Sequence, residues 1–229
     1  MSPHPPVIGI LSLDTRFPRI AGDAGNPGSY HLPARVRVVE KAGSPDIVRD
    51  GRPDPALVAG FVTAARELER DGAVLLTSTC GFLISVQDEI AAAVTIPVLL
   101  SGLALVPLVR RMTGGLPVGV LTASAASLGP GALAAAGTRA DEVRIAGLDD
   151  DATFRDTFLV AREHQRETLD RAAIEAAVVA RARRLMAETP GIGALVLECG
   201  NLPPYAPAIR AATGRPVFSI LDGARMIAG

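Results

Sequence analysis

The chain has 229 residues, 48% hydrophobic and 21% charged, with a formal net charge of −1. That length suits one large or two small globular domains with a substantial core, and the near-neutral balance argues against nucleic acid or a membrane surface held by electrostatics. Lys41 is the only lysine and sits in no motif suited to Schiff-base or phosphate-loop chemistry. Met1–Pro6 carries three prolines and no basic region, so no signal peptide is expected. Gln87-Asp88-Glu89, Pro97 and Pro107 interrupt the apolar stretches, so no membrane span is expected and a cytoplasmic protein is the default.

In chain order, Val7–Leu11 is a buried-strand run, and Ser12 to about Pro33 is an irregular segment long enough to be an active-site loop. Arg35–Val39 alternates like an edge strand. Asp54-Pro55 starts a helix that runs with helical apolar spacing to Leu68 and closes at Gly72. Ala73–Leu76 is a strand leading to Cys80, Leu83–Val94 a helix, Ile96–Leu100 a strand and Leu103–Met112 a helix. Gly114-Gly115 marks a boundary, and the order then restarts. Leu116–Leu121 echoes the first strand, and a helix from about Ser124 to Ala136 and a strand near Val143–Ile145 follow. Beyond the acidic turn Asp149-Asp150-Asp151 come helices near Thr153–Arg162 and over Asp170–Ala187, the strand Ala194–Leu197, a helix over Pro204–Ala212 and a last strand Pro216–Ile220. Asp222 is expected to cap a terminal helix. Continuous apolar strands alternating with helices predict parallel sheets buried on both faces. The expected fold is therefore α/β, with two pseudo-symmetric lobes, residues 1–113 and 114–229, each a parallel sheet flanked by helices, a crossing of terminal segments between the lobes being left open. The active site should lie in the cleft between them, at the carboxyl ends of the strands.

The two cysteines, Cys80 and Cys199, occupy matching places in this repeat. Each follows an apolar run, each is followed by a glycine (Gly81, Gly200), and a Pro-Val pair comes 17 residues after each thiol. Two thiols facing each other across a pseudo-twofold cleft suit proton transfer on or off either face of one carbon, with no metal or cofactor. A free thiol is only about 3% thiolate at pH 7; a helix N-terminus and hydroxyls from Thr77, Ser78 or Thr79 would favour the charged form. Backbone N–H groups after each thiol would hold a carboxylate, and the glycines would let the backbone approach. The bland alternative is a pair of buried structural cysteines; the shared offset argues against it. A disulfide is disfavoured by the cytosolic setting and the large core, and structural zinc by the lack of further ligands.

Other residues are weighed individually. Asp14, Thr15 and Arg16 close the first strand, where Arg16 could clamp a carboxylate and Asp14 orient a thiol, or both could simply anchor the loop. Thr122 and Ser124 hold the matching place in the second half and could bind a carboxylate or cap the next helix. Phe82 makes the first thiol's surroundings apolar, Asn201 follows the second, and Tyr205 could line the cleft or pack a turn. Of the histidines, His4 lies in the terminal tail, His164 in a polar stretch, and His31 alone near the cleft as a partner for a thiol hydrolase. The glycine-containing run Gly129–Ala134 reads as a helix turn rather than a dinucleotide fingerprint, and Asp149–Asp151 as a helix-capping turn rather than a metal site.

These motifs (LDTRFP at 13–18 with GDAGN at 22–26, TSTCGF at 77–82, ECGNLPPYA at 198–206) resemble the aspartate/glutamate racemase superfamily over nearly the whole chain. That group includes hydantoin racemases, maleate isomerases, arylmalonate decarboxylase and algal dimethylsulfoniopropionate lyases. The resemblance implies a cofactor-independent enzyme with Cys80 and Cys199 as paired acid and base. It also implies that Thr122 and the backbone after each thiol hold a carboxylate. Amino-acid racemases of the group usually show Cys-Asn-Thr at the first thiol and Cys-Thr-His or Cys-Thr-Glu at the second. Cys80-Gly81-Phe82 and Cys199-Gly200-Asn201 depart from both, so the side chains that bind the amino acid there are replaced. Retention of both thiols argues against the decarboxylase, which works with one.

The expected activity is racemisation or isomerisation at a carbon alpha to a carboxylate or carbonyl. The alternative within enzymes is a lyase that takes the same proton and expels a β-substituent, of the sulfonium-carboxylate type. The alternative of another class is a binding protein with inactive thiols. The expected partner is a small-molecule carboxylate, with no nucleic acid, membrane, metal or cofactor; self-association is left open.

Overall fold

The computed structural model describes residues 6–229; His4 lies outside them. Among the described residues, eight strands form two four-stranded parallel sheets with the same order, β2-β1-β3-β4 and β6-β5-β7-β8. The first contains β1 (Val7–Leu13), β2 (Ala34–Val39), β3 (Ala73–Ser78) and β4 (Val98–Leu99). The second contains β5 (Val118–Thr122), β6 (Val143–Gly147), β7 (Ala194–Leu197) and β8 (Val217–Phe218). Every residue of β1, β5 and β7 is buried, as their apolar runs require, whereas β2 alternates and lies at a sheet edge. Both Pro-Val pairs open the short outer strands β4 and β8.

The helix Pro55–Arg70 begins where the cap residue predicts, with Asp54 accepting the Ala56 N–H at 2.8 Å. It buries Val58, Phe61, Ala65 and Leu68 against the first sheet, and each of the larger side chains contributes about 1.5–3 kcal/mol. Arg171–Glu188 has the length expected for it, but several other helices are shorter than the periodicity predicts. After Cys80 comes a 3-10 segment, Gly81–Val86, and only a five-residue α-helix, Gln87–Ala91. Gly102–Leu105 is likewise 3-10 before the helix Val106–Met112. The helix expected from Ser124 is confined to Pro130–Ala135, because residues 124–127 form a turn closed by the Ser124 hydroxyl. The terminal helix Ile220–Ala228 is capped by Ser219, with Asp222 at its third position closing the capping box.

The lobes exchange their final helices. Val106–Met112, which follows β4, packs on β5 and β7 of the second sheet, while Ile220–Ala228, which follows β8, packs on β3 and β4 of the first. Leu103, Val106 and Val109 share one apolar cluster with Val118, Val120 and Val196; Ile220 and Ala224 share another with Ile8, Ile10 and Leu75. This reciprocal packing fixes the lobes against each other and brings the carboxyl ends of β1, β3, β5 and β7 to one place. Among the described residues no helix is long and apolar enough to cross a membrane.

Candidate active site

Cys80 and Cys199 follow β3 and β7, are both free and buried, and line a single pocket. Two glycines make this approach possible. A Cβ on Gly81 would overlap the carbonyl oxygen of Glu198, the residue before Cys199, and a Cβ on Gly200 would overlap that of Thr79, the residue before Cys80. The two cysteine loops therefore cross backbone to backbone, glycine against carbonyl, about the pseudo-twofold axis. The hydroxyls expected to activate the first thiol hold the turn instead. Ser78 donates to the Leu100 and Cys80 carbonyls, Thr79 accepts the Leu13 N–H, and Thr77 meets the Tyr30 hydroxyl.

The thiols are consequently not activated at rest. Burial pushes Cys80 up to about 12, the Glu198 carboxyl adds to the rise, and the Phe82 N–H opposes it. Burial and then Glu198 push Cys199 well above its ordinary value, against the Asn201 N–H. The expectation of thiols lowered by a helix end is thus overturned: one backbone donor cannot offset removal from water.

The long loop from Asp14 to Pro33 closes the pocket and joins both lobes. Its Ala24 N–H donates to the Gly200 carbonyl at 2.9 Å. Asp23, buried, accepts from Gly25 N–H, from Arg19 at 3.2 Å and from Asn201 Nδ2 at 2.8 Å. Arg19 donates also to Thr15 and lies over the Phe17 ring at 4.5 Å. Since Asp23 takes the Asn201 amide nitrogen, Asn201 Oδ1 faces Cys199 Sγ, 3.5 Å away, as an acceptor.

Of the residues singled out from sequence, Thr15, Thr79, Gly81, Phe82 and Asn201 line the pocket with the two cysteines, and Gly200 packs directly behind. The others point elsewhere. Arg16 pairs with Glu167 on the surface, and Asp14 accepts from Arg162 and from the Lys41 N–H; both act as loop anchors. Ser124 bonds Ser127 and Asp149, and Thr122 donates to Glu198 rather than standing free for a substrate. Tyr205 is fully buried beside the second thiol's cluster. His31 meets the Ala228 carbonyl and His164 is exposed. Asp151 caps the helix Ala152–Phe158, and Gly129–Ala134 packs against Asp50. Among the described residues no group of three or more His, Cys, Asp or Glu could hold a metal ion.

Sequence reasoning missed Arg19, Phe17, Phe158 and Glu198, all in the pocket wall. Glu198 carried the one readable signal, a carboxylate closing an otherwise apolar strand run, Ala194-Leu195-Val196-Leu197. Its Oε2 accepts the Thr122 hydroxyl at 2.8 Å, while its buried Oε1 has no partner among the described residues. Burial raises its carboxyl from 4.5 to about 7, against bonds from Thr122 and the Ala123 N–H. The space enclosed by these walls is about 20 Å³, room for about one water molecule.

No protein-family model matches the chain. It is 31% identical over 225 residues to a dimethylsulfoniopropionate lyase of Durusdinium sp. clade D, covering 95% of this chain and 72% of that one. It is 32% identical over 226 residues to dimethylsulfoniopropionate lyase 5 of Emiliania huxleyi, of which it spans 44%. Among solved structures, a point mutant of arylmalonate decarboxylase in a sulfate-associated form superposes with a TM-score of 0.62 at 18% identity, covering 98% of this chain and 94% of that one. The allantoin racemase of Klebsiella pneumoniae superposes with a TM-score of 0.62 at 16% identity, covering 97% and 86%. At these identities the structural matches carry the fold, and the sequence matches carry the closer relationship. By the first sequence match the chain belongs to the dimethylsulfoniopropionate lyase family, and it shares the fold of the arylmalonate decarboxylase and racemase structures.

Proposed function

We propose that the protein is a lyase for a β-sulfonium carboxylate such as dimethylsulfoniopropionate, in place of the racemase reading, which only the fold supports. The observation that carries this is the charge of the pocket. Two buried thiols and a buried carboxyl share it with one cation, Arg19, which Asp23 already neutralises. Such a site lacks the positive charge that a thiolate needs, and a sulfonium substrate brings it, lowering the thiol pKa on binding. The rings of Phe82 and Phe158 suit the cationic head, and Arg19, held over the Phe17 ring, suits the carboxylate.

Cys80 is the base. Cys199 keeps its proton, donated to Asn201 Oδ1 in an orientation fixed by Asp23. The Cys80 thiolate takes the α-proton; an S–H bond forms, the C–H pair becomes the new double bond, and the C–S pair leaves with neutral dimethyl sulfide, giving acrylate. Cys80 then returns its proton to solvent. The substrate is far larger than the enclosed space, so its binding parts the Phe17–Phe158 contact, edge to face at 4.8 Å.

Incubation with dimethylsulfoniopropionate in D2O, followed by proton NMR, should show olefinic signals and dimethyl sulfide. Loss of an α-proton signal without olefin would restore the isomerase, and an unchanged spectrum would rule out this substrate. Arg19→Gln should raise KM about 10–100-fold with a smaller change in kcat, since a charge-assisted bond to the carboxylate is worth about 1.5–3 kcal/mol; an unchanged KM would place the carboxylate elsewhere.

A further inference from the structure

We infer that Glu198 is a catalytic residue of this site, held as the neutral acid, whose Oε1–H donates a hydrogen bond to the substrate carboxylate and to the enediolate formed as the α-proton leaves. The inference rests on the carboxylate-substrate reading above.

The geometry distinguishes the two carboxyl oxygens. Oε2 is occupied by the Thr122 hydroxyl, whereas Oε1, equally buried, receives no donor from any described residue. A buried carboxylate draws donors to both oxygens, and an orphaned anionic oxygen costs several kcal/mol. An Oε1 that carries the proton needs only an acceptor, which a substrate carboxylate would supply. The crossing at Gly81 places Oε1 against the loop that carries Cys80, since a Cβ on Gly81 would overlap it. The remaining charged and titratable groups around it are Cys199 on its own loop, Cys80 from the loop after β3, and Arg19 with Asp23 behind it from the long loop. β5 presents only the Thr122 hydroxyl and the Ala123 N–H.

Three consequences agree. A carboxyl raised to about 7 is about half protonated at neutral pH and mostly protonated below it, and a substrate carboxylate beside it raises it further. A neutral Glu198 removes a charge that opposes thiolate formation at both cysteines. Donors aimed at developing oxyanion charge in a dry site are typically worth 10²–10³ in rate, and a carboxylic acid kept neutral by an apolar site is a known way to provide one.

The test compares Glu198→Gln with Glu198→Ala. Glutamine keeps an acceptor for Thr122 and an N–H where the acid has its O–H. Its kcat/KM on dimethylsulfoniopropionate should stay within about tenfold of wild type, while alanine loses about a hundredfold or more. Wild-type kcat/KM should rise with pH and level off through about 7, because above it each new thiolate is offset by loss of the Glu198 proton. Glu198→Gln, which has no such proton to lose, should go on rising above pH 7. Glutamine as inactive as alanine, or a plateau near 7 retained in Glu198→Gln, would overturn the inference in favour of an ionised Glu198.

A second readout needs no turnover. 3-(Methylthio)propionate has the same carboxylate arm and no sulfonium leaving group. Calorimetry at pH 8 in two buffers of different ionisation heat should show proton uptake when wild type binds it and none with Glu198→Gln; the thiols, already protonated, contribute none. Binding without uptake by wild type would overturn the inference, whereas uptake in a protein that does not cleave dimethylsulfoniopropionate would leave Glu198 standing and sink the lyase reading alone. Folding provides a further check. A carboxyl raised in the folded state contributes stability below about pH 4.5 that is lost as pH rises through about 7. Glu198→Gln should therefore melt above wild type at pH 8, and a lower Tm there would contradict a carboxyl that resists ionisation.

Discussion

Replacement of Cys80 by serine is expected to lower turnover of dimethylsulfoniopropionate by about 10³–10⁴, with the fold intact. A serine hydroxyl fills nearly the same buried space but is a far weaker acid than a thiol, so no charged base forms when the sulfonium arrives. The loss is then the full contribution of positioned proton transfer, near the upper end of its usual range. Cys199→Ser separates the mechanisms. Dimethyl sulfide leaves neutral and needs no acid, and the serine hydroxyl can still donate to Asn201 Oδ1, the acceptor that Cys199 uses. The expected loss is about tenfold. Steady-state rates of the two variants, with dimethyl sulfide measured in the headspace, decide the matter. Equal inactivation of both would mean that the second thiol takes part in proton transfer, as a two-base isomerase requires, and would remove the assignment of Cys80 as sole base.

The glycines after the thiols should be as sensitive as the thiols themselves. In Gly81→Ala the new methyl meets the Glu198 carbonyl, and in Gly200→Ala it meets the Thr79 carbonyl. Each obstacle is backbone belonging to the other lobe's cysteine loop, so no side chain can rotate away and the lobes must part. Overpacking of this kind costs about 1–3 kcal/mol, and at this chain length each kcal/mol lowers Tm by about 2–4 °C. We expect a Tm fall of roughly 2–12 °C in each variant and loss of most activity, since parting the loops separates the thiols from Arg19. Thermal unfolding and activity at 25 °C check both. A variant with wild-type Tm and turnover would show that the loops do not cross at these glycines. The pseudo-symmetry makes the pair a matched experiment: the two losses should be similar.

Much of the architecture was legible in the residues. Val7–Leu11, Ala73–Leu76 and Ala194–Leu197 are continuous apolar runs, and the strands they predict are buried on both faces except at Val74. Asp54-Pro55 announced its helix because a side-chain cap is a local interaction. The matched spacing from each thiol to Pro97 and Pro216 placed both cysteines at strand ends, because a parallel strand, turn and return strand have a nearly fixed length. What depends on the neighbouring ten residues could be read from them.

The rest depended on the three-dimensional path of the chain. Nothing local distinguishes Arg16 from Arg19 in the same loop. The first reaches Glu167 on the surface, while the second turns inward to Asp23, Thr15 and the pocket. Which helices exchange between the sheets, Val106–Met112 and Ile220–Ala228, is also undetermined by sequence, because an apolar helix face shows that it is covered but not by what. The same holds for chemistry. The helix expected after Cys80 suggested a lowered thiol, but the thiol is raised, because removal from water sums over everything packed around it and outweighs one N–H. Sequence shows only that Glu198 closes an apolar strand run; the fold alone seals one of its carboxyl oxygens against the opposite lobe. Sequence by itself determined the strands, the repeat and the pairing of two thiols, all set by local periodicity and spacing. The tertiary structure alone decided which charged groups enter the pocket and how strongly water is excluded from them, because both arise from long-range contacts.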